Sequence, residues 1–468
     1  MLAREESLPR TSPLAVIVPA VAILGLMTYF GVVLAGGDDP VALYQVGVLV
    51  GLLAYLLTFT NILLGISLLV AGIGLSPEFT LGGIPNLRLE DFIVPAIAAA
   101  WLTRSIRGRE TAAPSGLRGP LLAFLGSLVL STILGIAGGS TKPQIALLTL
   151  GKFLEYGLIF LVVAHNVKSE REAQALAIFS ILIGLFSGLG DVVRITTTPV
   201  PQGGLNKVHG PLGETSTIFG GYLLLNLFLA LGWYLHAPAA QSRTASAAAA
   251  TLLGTALLYT YSRTTYAALA GGLTLFAIFK HRRALILILI LLTSFPLLAP
   301  ENIWRRAATI STVVSEEATP SWVARVEAWK SALARLTAEA PLTGFGAGAT
   351  PLGNIDNEYV LRAFEGGFLG LATFLWILFR LGRRAGTLHE AHSEPVFPKG
   401  FAAGYLMGFI GMLIHAVGAT SFTAIRTMEQ FMLLSGLMTA LANLKESRKT
   451  AEPPQETDEM IGPLMPDR

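Results

Sequence analysis

Apolar runs of roughly 17–25 residues, the length a helix needs to cross a bilayer, recur along this chain from its first third to its last. That repetition predicts an all-α fold: a polytopic transmembrane helix bundle of about fourteen spans. The spans fall near 14–35, 43–58, 61–76, 91–104, 119–137, 146–165, 172–193, 215–235, 246–261, 264–280, 284–299, 357–380, 399–418 and 424–443. The second and third are either two helices or one long kinked helix, with Thr58, Thr60 and Asn61 at the break. Charged residues are 13% of the 468, against about a quarter in an ordinary soluble domain. The first run is too long for a signal-peptide core and lacks a cleavage site, so it reads as a retained span. Without cysteine the chain has no disulfide, thiolate nucleophile or thiolate metal site. One transmembrane domain covers 1–445, and a disordered cytoplasmic tail rich in Pro and Glu is expected over 446–468.

Basic residues set the orientation. With fourteen spans, one face receives Arg104, Arg107, Arg109 and Arg118, then Lys168 and Arg171, and Lys280, Arg282 and Arg283. The same face takes Arg380, Arg383 and Arg384, then Lys445, Arg448 and Lys449. By the positive-inside rule that face and both termini are cytoplasmic. Cations placed at helix ends in a chain of net charge +3 serve topology, not nucleic-acid binding. Neither a 20–50-residue repeat nor inverted symmetry is visible; many secondary transporters carry one or the other.

The other face receives the one long polar interval, the extracytoplasmic loop 300–356. From 319 onward it reads in three parts. Ser321 is a plausible N-cap for an amphipathic helix carrying Trp322, Val326, Trp329, Leu333 and Leu336, stopped by Pro341. A glycine-rich turn, Gly344-Phe345-Gly346-Ala347-Gly348, follows; it is a phosphate loop or, by default, a flexible turn. Then Asp356, Asn357, Glu358 and Tyr359 stand before the next span. Asp356 is a candidate base, or the N-cap of that span with Asn357 and Glu358 in its first turn.

Cations on this face are few, and one near hydrocarbon is costly unless something anionic compensates it. Arg194, Lys207, His209, Arg263, Arg325 and Arg426 are the candidates. Arginine binds phosphate bidentately, and the anion at this depth is a phospholipid or a polyprenyl pyrophosphate. Each residue also has a plainer reading. Arg194 pairs with Asp191, Arg263 snorkels to headgroups, His209 is a loop residue, Arg325 decorates a solvated face, and Lys152 neutralises Glu155.

The ordered set Ser262-Arg263, Arg325 with Trp329, Pro341 to Gly346, Asp356 to Tyr359 and Glu365-Gly366-Gly367-Phe368-Leu369-Gly370 resembles the O-antigen ligase and polymerase superfamily. The likeness covers about 250–370, and GPLGETSTIFGGYL upstream is similar to the segment preceding that domain. The resemblance implies a metal-independent, cofactor-free, inverting glycosyltransferase in the bacterial cytoplasmic (inner) membrane with its active face extracytoplasmic. Its donor would be a saccharide on undecaprenyl pyrophosphate and its acceptor a glycan. Membrane lipid and other polysaccharide-assembly proteins would be its partners. Carried onto this chain, Arg263, Arg325 and Lys207 hold the pyrophosphate, with Arg194, His209 and Tyr359 beside it, and Asn357 matches the Asn of a His-Asn pair. Asp356 stands where the ligases have His, which favours a capsule or exopolysaccharide polymerase over a lipid A-core ligase. Asp356 is then the base, with Glu358 in reserve. A flippase for lipid-linked oligosaccharide is the competing expectation, and would carry charges through the middle of several spans.

Overall fold

The computed structural model describes residues 40–76, 79–81, 84–106, 116–198, 207–210, 214–280, 301–308, 320–350, 355–391 and 396–451. The described residues form fourteen helices and one two-stranded hairpin. The order is α1 (Pro40–Thr60), α2 (Ile62–Leu75), β1 (Phe79–Leu81), β2 (Ile84–Leu87), α3 (Glu90–Ile106), α4 (Arg118–Ala137), α5 (Pro143–Asn166) and α6 (Glu170–Thr197). Then come α7 (Ser216–His236), α8 (Ala240–Leu258), α9 (Arg263–Lys280), α10 (Glu301–Ala308), α11 (Pro320–Glu339), α12 (Glu358–Glu390), α13 (Phe397–His415) and α14 (Ile425–Ala451). The antiparallel pair β1–β2 is the sole departure from helix among described elements.

Twelve of the expected spans coincide with a helix. The other two, 14–35 and 284–299, lie outside the described residues. Six helices (α4, α5, α6, α7, α12 and α13) are long and apolar enough to cross a membrane, while the apolar parts of α1 and α2 are shorter. The tail expected to be disordered from 446 is still helical as far as Ala451. Beyond that it lies outside the described residues.

Asn61 decides the ambiguity between one kinked helix and two. Its side chain accepts a hydrogen bond from the Leu63 amide and so caps α2. The chain folds back there: a methyl group placed on Gly65 would lie 2.0 Å from the Thr58 hydroxyl, a contact impossible seven residues apart along one straight helix. The segment is therefore two antiparallel helices.

Side-chain contacts sort the helix ends into two groups. At one end Arg380 donates to the Gly116 carbonyl at 2.9 Å, Arg384 to Asn443, Lys280 pairs with Glu390, and Arg448 pairs with Glu170 at 2.6 Å. These are residues assigned by sequence to the cytoplasmic side. The opposite end gathers the starts of α3, α7, α9, α12 and α14 and the ends of α2, α6 and α13; the candidate site is there. Between the two ends the core is Leu, Phe, Ile and Ala. At its centre α7 and α13 run backbone to backbone, since a methyl on Gly232 would lie 2.2 Å from the Gly404 nitrogen. Such close approach is how helices attract in lipid, where burying apolar surface gains nothing.

Candidate active site

The site is framed by an interruption in α12. Gly367 (φ 66°, ψ −171°) breaks the helix, in a region of backbone space open essentially to glycine alone. The break frees backbone groups, and the segment after α11 takes them. Phe345 and Gly346 amides donate to the Phe364 and Glu365 carbonyls at 2.9 Å each, while Phe368 and Leu369 amides donate to Pro341 and Leu342 at 2.9 and 3.2 Å. Gly344 meets Gly367 at the crossing, where a methyl on Gly344 would lie 2.4 Å from the Gly367 nitrogen. Helix α4 locks the insertion. Ser131 donates to the Glu365 carbonyl and accepts from the Gly346 amide, and Thr132 accepts from Ala347 at 3.1 Å. Gly348 donates to the Glu365 carboxylate at 2.9 Å. Every amide from Gly344 to Gly348 is thus bonded within the protein. The glycine-rich turn is a structural interlock and has no amide left to cradle a phosphate.

Helix α11 lies along the first part of α12. Its buried face is Trp329, Ala332 and Leu336, packed on Phe345, Ala363 and Phe364, whereas Leu333, counted with the apolar face by sequence, is exposed. Pro320 is the first helical residue, a position that suits its fixed φ, so Ser321 falls inside the helix and is not the cap. This packing carries Arg325 to the head of α12, where its guanidinium meets the Asp356 carboxylate at 3.0 Å. Both side chains keep access to solvent, at 35% and 40% exposure.

The neighbouring polar residues have other work. Asn357, not Asp356, caps α12, accepting from the Tyr359 and Val360 amides at 3.0 and 3.1 Å. Glu358 is fully buried: it pairs with Arg362 at 2.9 Å and accepts from the Phe422 amide and Thr423 hydroxyl, both at 2.9 Å. Arg362 also pairs with Glu365 at 2.8 Å and lies over the Phe153 ring. The Tyr359 hydroxyl donates to the Leu413 carbonyl at 2.8 Å, which ties α12 to α13. Glu358, Asn357 and Tyr359 thus hold the start of α12 in place, and Asp356 alone of the four has a carboxylate open to solvent.

Arg263 begins α9 two residues after Tyr261, the one described non-glycine residue with positive φ, at 50°. Burial pushes the Tyr261 phenol up from its usual range, helped by Tyr259 beside it. Two contacts join this turn to the rest. The Val208 amide donates to the Tyr259 carbonyl at 3.0 Å, and Thr264 donates to Gly418 at 3.5 Å. The residue two before Gly418, Ala416, accepts from the Glu358 amide at 2.9 Å. One turn, 416–424, therefore touches the starts of both α9 and α12. The segment carrying Lys207 and His209 is held by Asp191, whose carboxylate accepts from the His209 and Gly210 amides and pairs with Arg194. His209 also faces the Glu214 carbonyl at 3.2 Å. Arg194, which donates to the Lys207 carbonyl at 3.5 Å, thus fulfils its plainer reading with Asp191 while standing beside Lys207.

Of the candidate site residues, contacts join Arg325 to Asp356 and Arg194 to the Lys207 carbonyl. Residues 248–375 match the family model described as O-antigen ligase. Over those residues the chain is similar to the O-antigen ligase family. The matched domain takes in Arg263, Arg325, Asp356, the Arg362 ion pairs and the Gly344–Gly367 crossing, while Arg194, Lys207 and His209 precede it. It is a domain of glycosyl-transferring type. No curated protein matches the chain.

Outside the ligase domain lies an ionic cluster, mostly buried, of which the sequence announces only the Lys152–Glu155 pair. Arg88 pairs with Glu90 at 2.9 Å and Glu214 at 3.2 Å, and Arg426 pairs with Glu214 at 2.8 Å. Lys152 bonds Asp91 and, at 3.0 Å, Glu155. Among the described residues no three His, Asp or Glu side chains converge as a metal site requires.

Proposed function

We propose that this protein is a glycosyltransferase of the O-antigen ligase superfamily acting at the extracytoplasmic face of a bacterial inner membrane. It moves a saccharide from undecaprenyl pyrophosphate onto a hydroxyl of another glycan. The carrying observation is the solvent-accessible pair of Arg325 and Asp356 at the head of α12, an acceptor of protons beside a fixed positive charge. Asp356 takes the proton of the attacking hydroxyl, whose oxygen bonds the anomeric carbon from the face opposite the leaving group. The bond from that carbon to the diphosphate oxygen breaks, and its electron pair departs on the diphosphate. Arg325 and Arg263, with Lys207 as a further cation, offset the charge that accumulates there. Arg194 and His209 position the Lys207 segment, and Glu358, Asn357 and Tyr359 position Asp356. The aspartate at the family's histidine position favours polymerase over ligase.

The competing flippase reading asks for charges strung along the spans. Here the mid-span ionic side chains among the described residues are few, Lys152 and Glu155 in α5, and they pair with one another, which supports the enzyme. The test is purified protein in nanodiscs, incubated with lipid-linked oligosaccharide and resolved by size. Successive chain lengthening supports a polymerase, single transfer to a different lipid a ligase. Unchanged saccharide moved across a vesicle membrane, with no new glycosidic bond, refutes both.

A further inference from the structure

A cavity of about 1020 Å³ is lined by residues outside the ligase domain and reaches Thr423, which contacts Glu358 at the head of α12. Its polar wall is Asp91, Lys152, Glu155, Glu214 and Thr423, contributed by α3, α5, the start of α7 and the turn before α14. Its other wall is aliphatic, and Leu147, Leu148 and Leu154 there are exposed on the surface of α5, where lipid would lie. Thr423 links the cavity to the catalytic end, because its hydroxyl donates to Glu358, two residues after Asp356.

The sign of the charge limits what this cavity can take. Three carboxylates face one cation, and that cation, Lys152, is already held by Asp91 and Glu155. The arginines behind the wall, Arg88 and Arg426, are fully buried against Glu90, Glu214 and backbone carbonyls. Glu429 is a further buried carboxyl group behind the wall, with no hydrogen-bond partner on either oxygen. A diphosphate would find no open cation among these residues, because each positive side chain at the wall is already paired. Carboxylates and threonine hydroxyls instead suit a ligand rich in hydroxyl donors, since an ionised carboxylate only accepts hydrogen bonds. Phe153 and Tyr156 are also in the lining, both largely buried.

We propose that this cavity is the acceptor subsite. It holds the uncharged terminal saccharide of the lipid-linked glycan that receives the new bond, while the diphosphate of the donor stays with Arg263 and Arg325. The assignment rests on the transferase reading above, and it divides the two substrates by charge: arginines for the leaving diphosphate, carboxylates for the attacking sugar.

Gly151 provides the test. It lines the cavity, and a methyl added there meets nothing within 4 Å, so Gly151→Trp fills the space without disturbing the core. Gly126, on the exposed face of α4 with equally open surroundings and outside the cavity lining, is the control for Gly126→Trp. The readouts are chain elongation from native lipid-linked oligosaccharide and binding of saccharide-free undecaprenyl pyrophosphate. Gly151→Trp lowers elongation by roughly fivefold or more, the factor that losing one hydrogen bond of ordinary strength produces, and leaves undecaprenyl pyrophosphate binding intact. Gly126→Trp changes neither. Loss of undecaprenyl pyrophosphate binding in Gly151→Trp would make the cavity the donor's and overturn the assignment, as would elongation at the unsubstituted rate. If the unsubstituted protein binds the carrier yet forms no glycosidic bond, the transferase reading itself fails and the subsite with it.

Discussion

Replacing Arg325 with alanine should separate catalysis from stability. Its pair with Asp356 is bridged at 3.0 Å, but both side chains are more than a third exposed. Water and salt screen such a pair, so its contribution is about 0.2–1 kcal/mol. In a chain of this length that corresponds to a melting shift of no more than about 2–4 °C. If Arg325 faces the departing diphosphate, the same substitution removes a charge from the transition state. Comparable losses cost about 10²–10³ in rate, or roughly 2.7–4 kcal/mol. Arg362 is the internal contrast, because it is 1% exposed and pairs with Glu358 and Glu365 at 0% and 4%. Removing it strands two buried carboxylates at a cost of about 3–5 kcal/mol. Initial elongation rates and thermal melting, measured on one nanodisc preparation of each variant, test this. Arg325→Ala should melt close to the unsubstituted protein and be nearly inactive, whereas Arg362→Ala should lose both properties. An Arg325→Ala protein with undiminished elongation would refute the role assigned to it, and one melting as low as Arg362→Ala would refute the exposure argument.

Three more outcomes are expected. Asp356→Ala should lower transfer by about 10²–10⁴, the usual contribution of general acid–base catalysis, while Asp356→His retains measurable activity; equal rates for all three proteins would place the base elsewhere. Gly367→Ala should cost about 1–3 kcal/mol in backbone conformation alone, and more because the added methyl would lie 2.2 Å from the Leu342 carbonyl; unchanged melting would show that the interlock yields. Asp191→Ala should cost about 1–3 kcal/mol by leaving the His209 and Gly210 amides without their acceptor, and a melting curve superimposable on the unsubstituted one would contradict that anchoring.

Much of the architecture was legible in the sequence because lipid imposes a simple rule on hydrophobic length. The helix boundaries around 118–137, 143–166 and 397–415 follow from it directly. The turn at Asn61 was readable only as an alternative, since a polar residue between two apolar runs suits a hairpin or a kink equally well. Asp356 and Asn357 are comparably good caps, so geometry had to choose between them. Arg362 carries a signal of its own in the sequence: Glu358, Arg362 and Glu365 fall on one helical face at i, i+4 and i+7. The Arg88, Glu214 and Arg426 cluster carried none. Its members come from three separate parts of the chain, and Arg426 was visible only as an isolated cation at a span end. The glycine-rich turn was correctly suspected of being no phosphate loop, but the reason, its insertion into a broken helix, depends on pairings that no local pattern encodes.

The backbone bonds between 341–346 and 364–369 have a mechanical consequence. Helix α11 cannot swing away as a hinged flap while its outgoing strand stays stitched into α12; lifting it would tear four amide–carbonyl bonds and unseat Gly344 from Gly367. On the transferase reading proposed above, glycan chains would reach Asp356 from beside a fixed α11, with Arg325 held next to the carboxylate.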